Sequence, residues 1–371
     1  MVFLMLATGC TAEEPSGRPD TLPVLPSLTP VGDVWPEAVL AAPRELENDV
    51  TVIPVASLSA DELLLMTTHE HRPTFIGFNV KTERRRTLAR APEWAECGGC
   101  FEIQHTAVNA TQVAWLVRGY APGATNGGRR HLELWTMPRT GGPMRAVTRL
   151  PGNGNRNVFG FEITDDTAAW WDYEGGIWRV PLAGGEPVQV LPGRRLRVTS
   201  WPWAWDEGER TVVNLVTGQE IQVSGGDDLG HLTCGPTWCV GDAGPPYGIR
   251  NVALLRLNGS ERTTVPGDAM LQMVPIRDRI TLLGLPTIIG DNSVPGTWGA
   301  GQLGPAVQLY DRCTKQSALI GSPDMAKARE TWNEIKTGAA TAQGPLLFWK
   351  SAREGYTVLD LARIIDSPCK S

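Results

Sequence analysis

Residues 134–142 read Leu-Trp-Thr-Met-Pro-Arg-Thr-Gly-Gly, and residues 177–185 read Ile-Trp-Arg-Val-Pro-Leu-Ala-Gly-Gly. In both copies an apolar strand pattern with a Trp runs into a Gly-rich turn, and Leu-Pro-Gly follows at Leu150 and at Leu191. Self-similarity at a period of roughly 40 to 50 residues indicates a repeat architecture, and four-stranded propeller blades have that period. The sequence therefore predicts an all-β fold that is one β-propeller.

The blades can be counted from their central strands, because the second and third strands are the long apolar members of a blade. Candidates for the third strand and its turn lie at residues 75–82, 132–142, 177–185, 212–218, 253–259, 307–315 and 356–361. Candidates for the second strand lie at residues 63–65, 113–115, 169–171, 203–205, 237–238, 280–282 and 347–349. Both counts predict seven four-stranded blades. Six blades are the alternative, if the unit at residues 201–225 lacks a strand.

The 14 tryptophans fall mostly on these predicted strands. Blades are wedges that diverge outward, so bulky side chains are needed to fill the gap between neighbours, and each buried ring contributes several kcal/mol at roughly 25 cal/mol per Å². We interpret the tryptophans as packing between blades. The alternative is a sugar-stacking stripe, which would require rings on an exposed surface.

The first residues resemble the processing site of bacterial lipoproteins, since a short apolar stretch ends in small residues and Cys10. In that family the Cys thiol receives a diacylglycerol and becomes the new N-terminus. Residues 1–9 are therefore expected to be the remaining part of a signal peptide, without its basic start. Residues 10–33 carry five prolines among polar residues, which predicts an extended tether before a propeller at residues 34–371. The alternative for Cys10 is a buried free thiol.

Six cysteines remain, and an even number suits an oxidising extracytoplasmic compartment. Cys234 and Cys239 lie across a Gly-Pro turn, where a local disulfide could pin a hairpin. Cys97 and Cys100 could pair in the same way, and a disulfide between Cys313 and Cys369 would then tie the C-terminus to a late blade. A redox pair or half a zinc site is the alternative for Cys97 and Cys100, but a redox pair needs a helix N-terminus and zinc needs a second matched pair.

The repeats at residues 135–142 and 178–185 resemble those of TolB-like propellers, and residues 34–39, 201–203 and 234–239 are similar to segments of bacterial secreted or lipid-anchored propellers of unestablished function. The resemblance implies that an N-terminal strand, here Val34–Leu40, completes the last blade. That closure would remove the exposed sheet edges. No helical N-terminal domain like that of TolB is recognisable, so its partner cannot be carried over.

Two groups of residues are candidates for binding. Three long connections between second and third strands, at residues 118–130, 241–250 and 284–304, should share one face of the disc, and they carry the residue types that are enriched at binding hot spots. These partner-surface candidates are Tyr120, Arg129, Arg130, Tyr247, Arg250 and Trp298. The first strand of each blade should line the central channel, where the polar candidates are Gln104, Glu162, Arg197, His231, Gln272 and Glu334.

Metal and cofactor signals are weak. His69 and His71 are two apart at a predicted strand end, so both rings could reach one metal, but no third ligand is identifiable. The pairs at residues 165–166 and 227–228 are Asp-Asp in turns, where their oxygens cap backbone N–H groups and calcium is the alternative occupant. We expect no cofactor and no catalytic motif, since no Gly-x-Ser-x-Gly elbow is present.

The net charge of −6 argues against a nucleic-acid partner, which needs concentrated Lys and Arg. We expect a monomer that contacts the membrane only through a lipid anchor and binds a protein of the cell envelope. The alternative is a propeller enzyme that hydrolyses a sugar or lactone in the channel. Two carboxylates about 5 to 10 Å apart would favour a glycosidase, and Glu162 is the clearest candidate. Binding is favoured over catalysis.

Overall fold

The computed structural model describes residues 26–67, 73–91, 102–120, 130–150, 158–172, 176–192, 194, 196–244, 249–268, 274–285, 306–321, 335–337, 340–341, 346–351 and 355–366. Nearly all regular structure in these residues is β-strand. The predicted all-β fold is confirmed.

The strands are numbered in chain order. The first elements are β1 (Thr29–Pro30), helix α1 (Val31–Val34), the 3-10 helix η1 (Pro36–Ala38), β2 (Val39–Pro43), β3 (Glu45–Leu46) and the 3-10 helix η2 (Glu47–Asp49). The next are β4 (Val50–Ser59), β5 (Glu62–Thr67), β6 (Thr74–Asn79), β7 (Arg85–Arg90), β8 (Glu102–Val108), β9 (Gln112–Tyr120), β10 (Arg130–Pro138), β11 (Arg145–Arg149), β12 (Val158–Ile163), β13 (Thr167–Asp172), β14 (Ile177–Pro181) and β15 (Val188–Val190). The last are β16 (Arg197–Ser200), β17 (Trp203–Asp206), β18 (Thr211–Asn214), β19 (Glu220–Gln222), β20 (Gly230–Cys234), β21 (Trp238–Asp242), β22 (Asn251–Arg256), β23 (Thr263–Pro266), β24 (Ile280–Leu283), β25 (Ala306–Asp311), β26 (Gln316–Gly321), β27 (Lys336–Thr337), β28 (Ala340–Thr341), β29 (Leu346–Lys350), β30 (Gly355–Asp360) and helix α2 (Leu361–Ile365).

The strands form seven small sheets, which are the seven blades of a β-propeller. Blades 1 to 5 are four consecutive strands each, beginning with β4, β8, β12, β16 and β20, and β3 adds to the first strand of blade 1. Blade 6 contains β24, β25 and β26, and blade 7 contains β27, β29, β30 and β2. Every predicted second and third strand overlaps one of these strands, and the unit at residues 201–225 belongs to a complete blade, β16 to β19.

The two repeats that predicted the fold adopt the same turn. Gly141 and Gly142 have φ of 95° and 133°, and Gly184 and Gly185 have φ of 112° and 135°. The N–H of Gly141 donates to Pro138 O and that of Gly184 to Pro181 O, both at 2.9 Å. Positive φ is a conformation that glycine adopts without steric cost. The repeated Gly-Gly is therefore explained by the turn from third to fourth strand.

The hydrophobic core is divided among the seven gaps between neighbouring blades. Seven clusters of buried side chains occur in the described chain, and each combines residues of two adjacent blades. Trp115, Trp170, Trp205, Trp238 and Trp349 are all buried and lie in five different gaps. The interpretation of these tryptophans as packing between blades is confirmed.

An N-terminal strand closes the ring, as predicted. β2 pairs antiparallel with β30 from Val39–Leu359 to Pro43–Gly355 and so supplies the outer strand of blade 7. The strand lies later in the chain than the predicted Val34–Leu40, because α1 and η1 occupy the preceding residues. Trp35 packs instead into the gap between blades 6 and 7.

Two very short strands add to blades from a distance. β1 pairs in parallel with β26 on the outer edge of blade 6, through Thr29–Ala318 and Pro30–Leu319. β28 leaves blade 7 and pairs in parallel with the inner strand of blade 2, through Ala340–Ala107 and Thr341–Val108. Both cover strand edges that would otherwise present unpaired N–H and C=O groups.

Candidate functional site

Strand order gives the disc two distinct faces. We call crown the face on which second strands connect to third strands, which includes residues 121–129, 207–210, 243–250 and 284–305. We call turn face the opposite side, where first strands connect to second strands and third to fourth. The three predicted long connections all belong to the crown. The connection at residues 284–305 exceeds the ~12–15 residues above which a loop is usually functional or a linker.

The hairpin of blade 2 is longer than the sequence indicated. Residues 118–120 and 130, which were expected in a loop, continue β9 and β10 as a ladder up to the pair Tyr120–Arg130. In the equivalent hairpin of blade 3 the ladder ends at Trp171–Ile177. The pairs Trp115–Trp135 and Trp170–Trp178 are equivalent in the two blades. The ladder continues five residues beyond Trp115 but only one beyond Trp170. At ~3.4 Å per residue, the blade 2 hairpin is therefore longer by more than ~10 Å. It lengthens toward the crown.

The partner-surface candidates are described only in part. The backbones of Tyr120 and Arg130 are cross-strand partners at the tip of the blade 2 ladder. Arg250 is exposed, and its Nη1 lies 3.4 Å from Oδ2 of the buried Asp268. Arg129, Tyr247 and Trp298 lie outside the described residues. Tyr120, Arg130 and Arg250 lie at the crown ends of their strands or next to them.

The channel candidates lie on or next to inner strands. Gln104, Glu162, Arg197 and His231 belong to β8, β12, β16 and β20. The Trp201 N–H of blade 4 hydrogen-bonds to the Glu162 carboxylate, and Arg197 Nη1 donates to Thr233 Oγ1 of blade 5 at 3.4 Å. His231 is exposed and has a positive φ of 46°. Gln272 and Glu334 fall outside the described chain.

Two further polar side chains that were not predicted reach the next blade, His105 on β8 and Asn109 directly after it. The Nε2 of His105 lies 2.9 Å from Val158 O, so that nitrogen carries the proton and donates to the carbonyl. Asn109 Nδ2 donates to Thr164 O at 2.5 Å. Together with Glu162 and Arg197, these contacts link blades 2 to 3, 3 to 4 and 4 to 5. Polar inner-strand residues therefore join consecutive blades, a role that no single-strand pattern reveals.

Glu162 is the residue of this group with the most perturbed ionisation. Burial raises its pKa to about 7, and the hydrogen bond from the backbone N–H of Trp201 opposes that rise. Burial also lowers the pKa of His105, with a further contribution from Arg118, while its bond to Val158 acts in the other direction. A carboxyl group that titrates near neutral pH can both give and take a proton.

Aspartates at the ends of three strands were also missed. Asp172 Oδ1 accepts from the Gly176 N–H at 3.0 Å, and Asp206 Oδ1 accepts from the Glu209 N–H at 3.2 Å. On the turn face, Asp360 Oδ1 accepts from the Ala362 N–H at 3.1 Å. The signal was present as an apolar strand that ends in Asp. These side chains cap the connection that follows and are structural.

The described cysteines support the disulfide prediction. Cys234 and Cys239 are cross-strand partners in blade 5 and form a disulfide, with both side chains fully buried toward blade 4. Cys313 is also a disulfide cysteine, and its partner is not among the described residues. The pairing of Cys313 with Cys369 stays a prediction, as do the roles of Cys10, Cys97 and Cys100, which lie outside the description.

No group of three or more metal-binding side chains occurs in the described residues. Two of the aspartates that were weighed for calcium contact arginines, since Asp227 lies 2.8 Å from Arg210 and Asp228 lies 2.8 Å from Arg262. His69 and His71 are outside the described ranges. Within those ranges no helix has both the length and the apolar character required to cross a bilayer.

No protein-family model and no curated protein matches this chain. Among solved structures it is similar to YCF48 bound to a D1 peptide, at 9% identity and a TM-score of 0.45 over 90% of this chain and 99% of that one. It is similar to the WD40 β-propeller domain of Doa1, at 8% identity and a TM-score of 0.40 over 87% and 97%. It is also similar to TolB from Acinetobacter baumannii, at 10% identity and 0.31 over 62% and 63%. These similarities concern the fold alone.

Proposed function

We propose that this protein is a lipid-anchored extracytoplasmic propeller that binds a protein partner of the cell envelope through its crown. The observation that carries the proposal is that the long connections of blades 2, 5 and 6 leave from one face, where the blade 2 hairpin also extends. Loops on a rigid scaffold are where binding residues concentrate. The closed ring holds the bases of these loops in fixed positions.

Three features support the location. The disulfide between Cys234 and Cys239 is of the kind that persists in oxidising compartments. The sequence around Cys10 resembles a lipoprotein processing site, and the Pro-rich segment after it suits a tether. The repeat likeness to TolB-like propellers agrees with the same compartment. In this proposal the membrane is contacted through the lipid, and no cofactor takes part.

The crown is tested by crosslinking within the envelope followed by purification of the intact protein. A second sample carries short Gly-Ser replacements of residues 121–129, 245–248 and 286–305. A control variant carries a similar replacement of the exposed turn 216–219 on the turn face. The proposal expects a defined partner with the intact protein and the control but not with the crown variant. Equal capture by all three, or by none despite normal expression, overturns it.

The anchor is tested separately by intact-mass analysis of protein expressed with a functional upstream signal. An acylated Cys10 at the new N-terminus is the expected species. A Cys10→Ala variant should then lose its mass increment and its membrane fraction together. An unmodified Cys10 in the wild-type protein removes the anchor from the proposal but leaves the crown to be judged by its own experiment.

A second candidate function is hydrolysis of a sugar or lactone in the channel, favoured by one observation. Glu162 lies on an inner strand, and its pKa of about 7 suits a general acid or base. The test is a panel of glycosides and lactones with the wild-type protein and Glu162→Gln. Turnover that is lost in the variant supports this function, and absence of turnover in the wild type rejects it.

A further inference from the structure

The chain that precedes Thr29 approaches the disc from a definite side. Within a blade the strands alternate in direction, so the second strand runs toward the crown, the third away from it and the fourth toward it again. β26 is the fourth strand of blade 6 and follows β25 in antiparallel pairing. Because β1 pairs in parallel with β26, it also runs toward the crown. Residues before Thr29 therefore come from the turn face.

This entry point is fixed to the body of the propeller. Immediately after β1, Val31, Trp35 and Ala38 are all buried, with 3%, 5% and 0% of their surface exposed, in the cluster between blades 6 and 7. The Trp35 N–H donates to Val31 O at 2.8 Å, and Arg363 of α2 donates to Glu37 O at 2.9 Å. A segment held by these contacts cannot swing around the rim. The direction of approach is thus a property of the fold.

We propose that the tether leaves the disc on the turn face, so that an anchored molecule turns this face to the membrane and presents its crown to the aqueous compartment. The inference rests on the anchor in the proposed function. It adds an orientation that the crown's role as a partner surface requires. A crown pressed against the bilayer would be closed to a large protein partner.

The tether is longer than the disc is thick, so its length alone does not fix which face is turned to the membrane. An extended segment spans about 3.1 Å per residue, so the residues between Cys10 and Thr29 reach at most ~55 Å. Strands of four to six residues span ~14–20 Å between the two faces of the disc. The full tether could fold back past the rim, but only by confining itself between the disc and the bilayer. A tether cut to a third of this length could not reach back at all.

The orientation can be measured without native acylation. The chain from Thr11 onward is given an N-terminal hexahistidine tag and bound to vesicles that contain a nickel-chelating lipid and an acceptor dye on the headgroups. A fluorescent amino acid replaces either Glu207 on the crown or Val216 on the turn face. Both residues are exposed, and both lie in connections of blade 4, at its opposite ends.

We expect energy transfer to the vesicle to be at least ~2-fold higher from position 216 than from position 207, since the four-residue strands of blade 4 separate its two ends by ~14 Å. Deleting residues 14–25 should increase this ratio. Moving the tag into the connection 207–210 should invert it, which controls for the reporters themselves. Equal transfer, or higher transfer from position 207 with the N-terminal tag, overturns the proposal. Because neither Cys10 acylation nor a partner is involved, such a failure is distinct from failure of the proposed function.

Discussion

Gly225 follows the last strand of blade 4 and lies in close backbone contact with blade 5. Its N–H donates to Leu257 O at 3.1 Å, and a Cβ added to it would lie 2.3 Å from the backbone nitrogen of Gly259. No flexible side chain is available there to move aside, because the obstacle is backbone. We predict that Gly225→Ala lowers the free energy of unfolding by about 1–3 kcal/mol, measured by urea denaturation.

Gly208→Ala is the matched control for this substitution. Its Cβ would come no closer than 3.6 Å to Asp206, and the residue lies in an exposed crown turn. We expect its stability to remain within about 0.5 kcal/mol of the wild type. If Gly225→Ala is as stable as this control, the close approach of the two backbones is not a constraint.

Glu162 makes stability depend on pH with a known sign. Its folded pKa of about 7 lies above the ordinary value of 4.5, so the folded state holds a proton that the unfolded state has lost. This contribution is fully present below about pH 4.5 and disappears as the pH rises through 7. We predict that Glu162→Gln removes this loss and is more stable than the wild type at pH 8, by up to ~3 kcal/mol.

The measurement is chemical denaturation at several values between pH 4.5 and pH 8. Gln keeps the shape of the side chain and an oxygen that can accept from the Trp201 N–H. Glu207→Gln, at an exposed crown position, serves as the control and should leave the pH profile unchanged. A Glu162→Gln profile that parallels the wild type throughout contradicts the raised pKa.

The strands that could be predicted are defined by their own sequence, whereas those that were missed are defined by a distant partner. Central strands such as β13 and β21 carry their own signal, an apolar run with a Trp before a turn, so all were found. β1 and β28 are two residues long and are strands only because a distant partner pairs with them. The same applies to His105, whose acceptor lies in the next blade. Pairing between remote segments produces no recognisable sequence pattern in either segment.

The disulfide of blade 5 is an element-scale device, since it joins neighbouring strands five residues apart in sequence. A loop this short restricts the unfolded chain only modestly. We predict that the double variant Cys234→Ala, Cys239→Ala loses about 2 kcal/mol in urea denaturation and keeps the native circular dichroism spectrum. Alkylation of denatured, unreduced wild-type protein should leave both cysteines unmodified. An unchanged stability would mean that the bond adds nothing to the blade.

At the scale of the whole molecule, ring closure depends on a strand from the beginning of the described chain. β2 completes blade 7, and Ala42 lies in the cluster between blades 7 and 1. We predict that deleting residues 1–43 abolishes cooperative thermal unfolding, because blade 7 then has an open edge and the gap beside it is incompletely filled. Deleting residues 1–25 should leave the transition temperature unchanged. A cooperative transition in the longer deletion contradicts the closure.

The ring could be predicted from the sequence, whereas its candidate site could be predicted only in outline. Sevenfold repetition constrains the core through many similar residues, such as Trp115 and Trp205, each with the same packing task. A site is made by residues that depart from the repeat, and their neighbours come from other blades. Glu162 was found as a polar residue on an inner strand, but its raised pKa arises from burial in the assembled disc.

The pairing of β2 with β30 also determines when during synthesis the ring can close. Residues 39–43 are among the first of the ring to be synthesised, and their partners at residues 355–359 are among the last. At about 5–20 residues per second, the early strand waits on the order of 15–60 seconds for its counterpart. During that interval the growing array has two open ends, and each is a surface on which another chain could add. The cell that makes this protein must therefore keep other chains off the open ends of the ring during this interval.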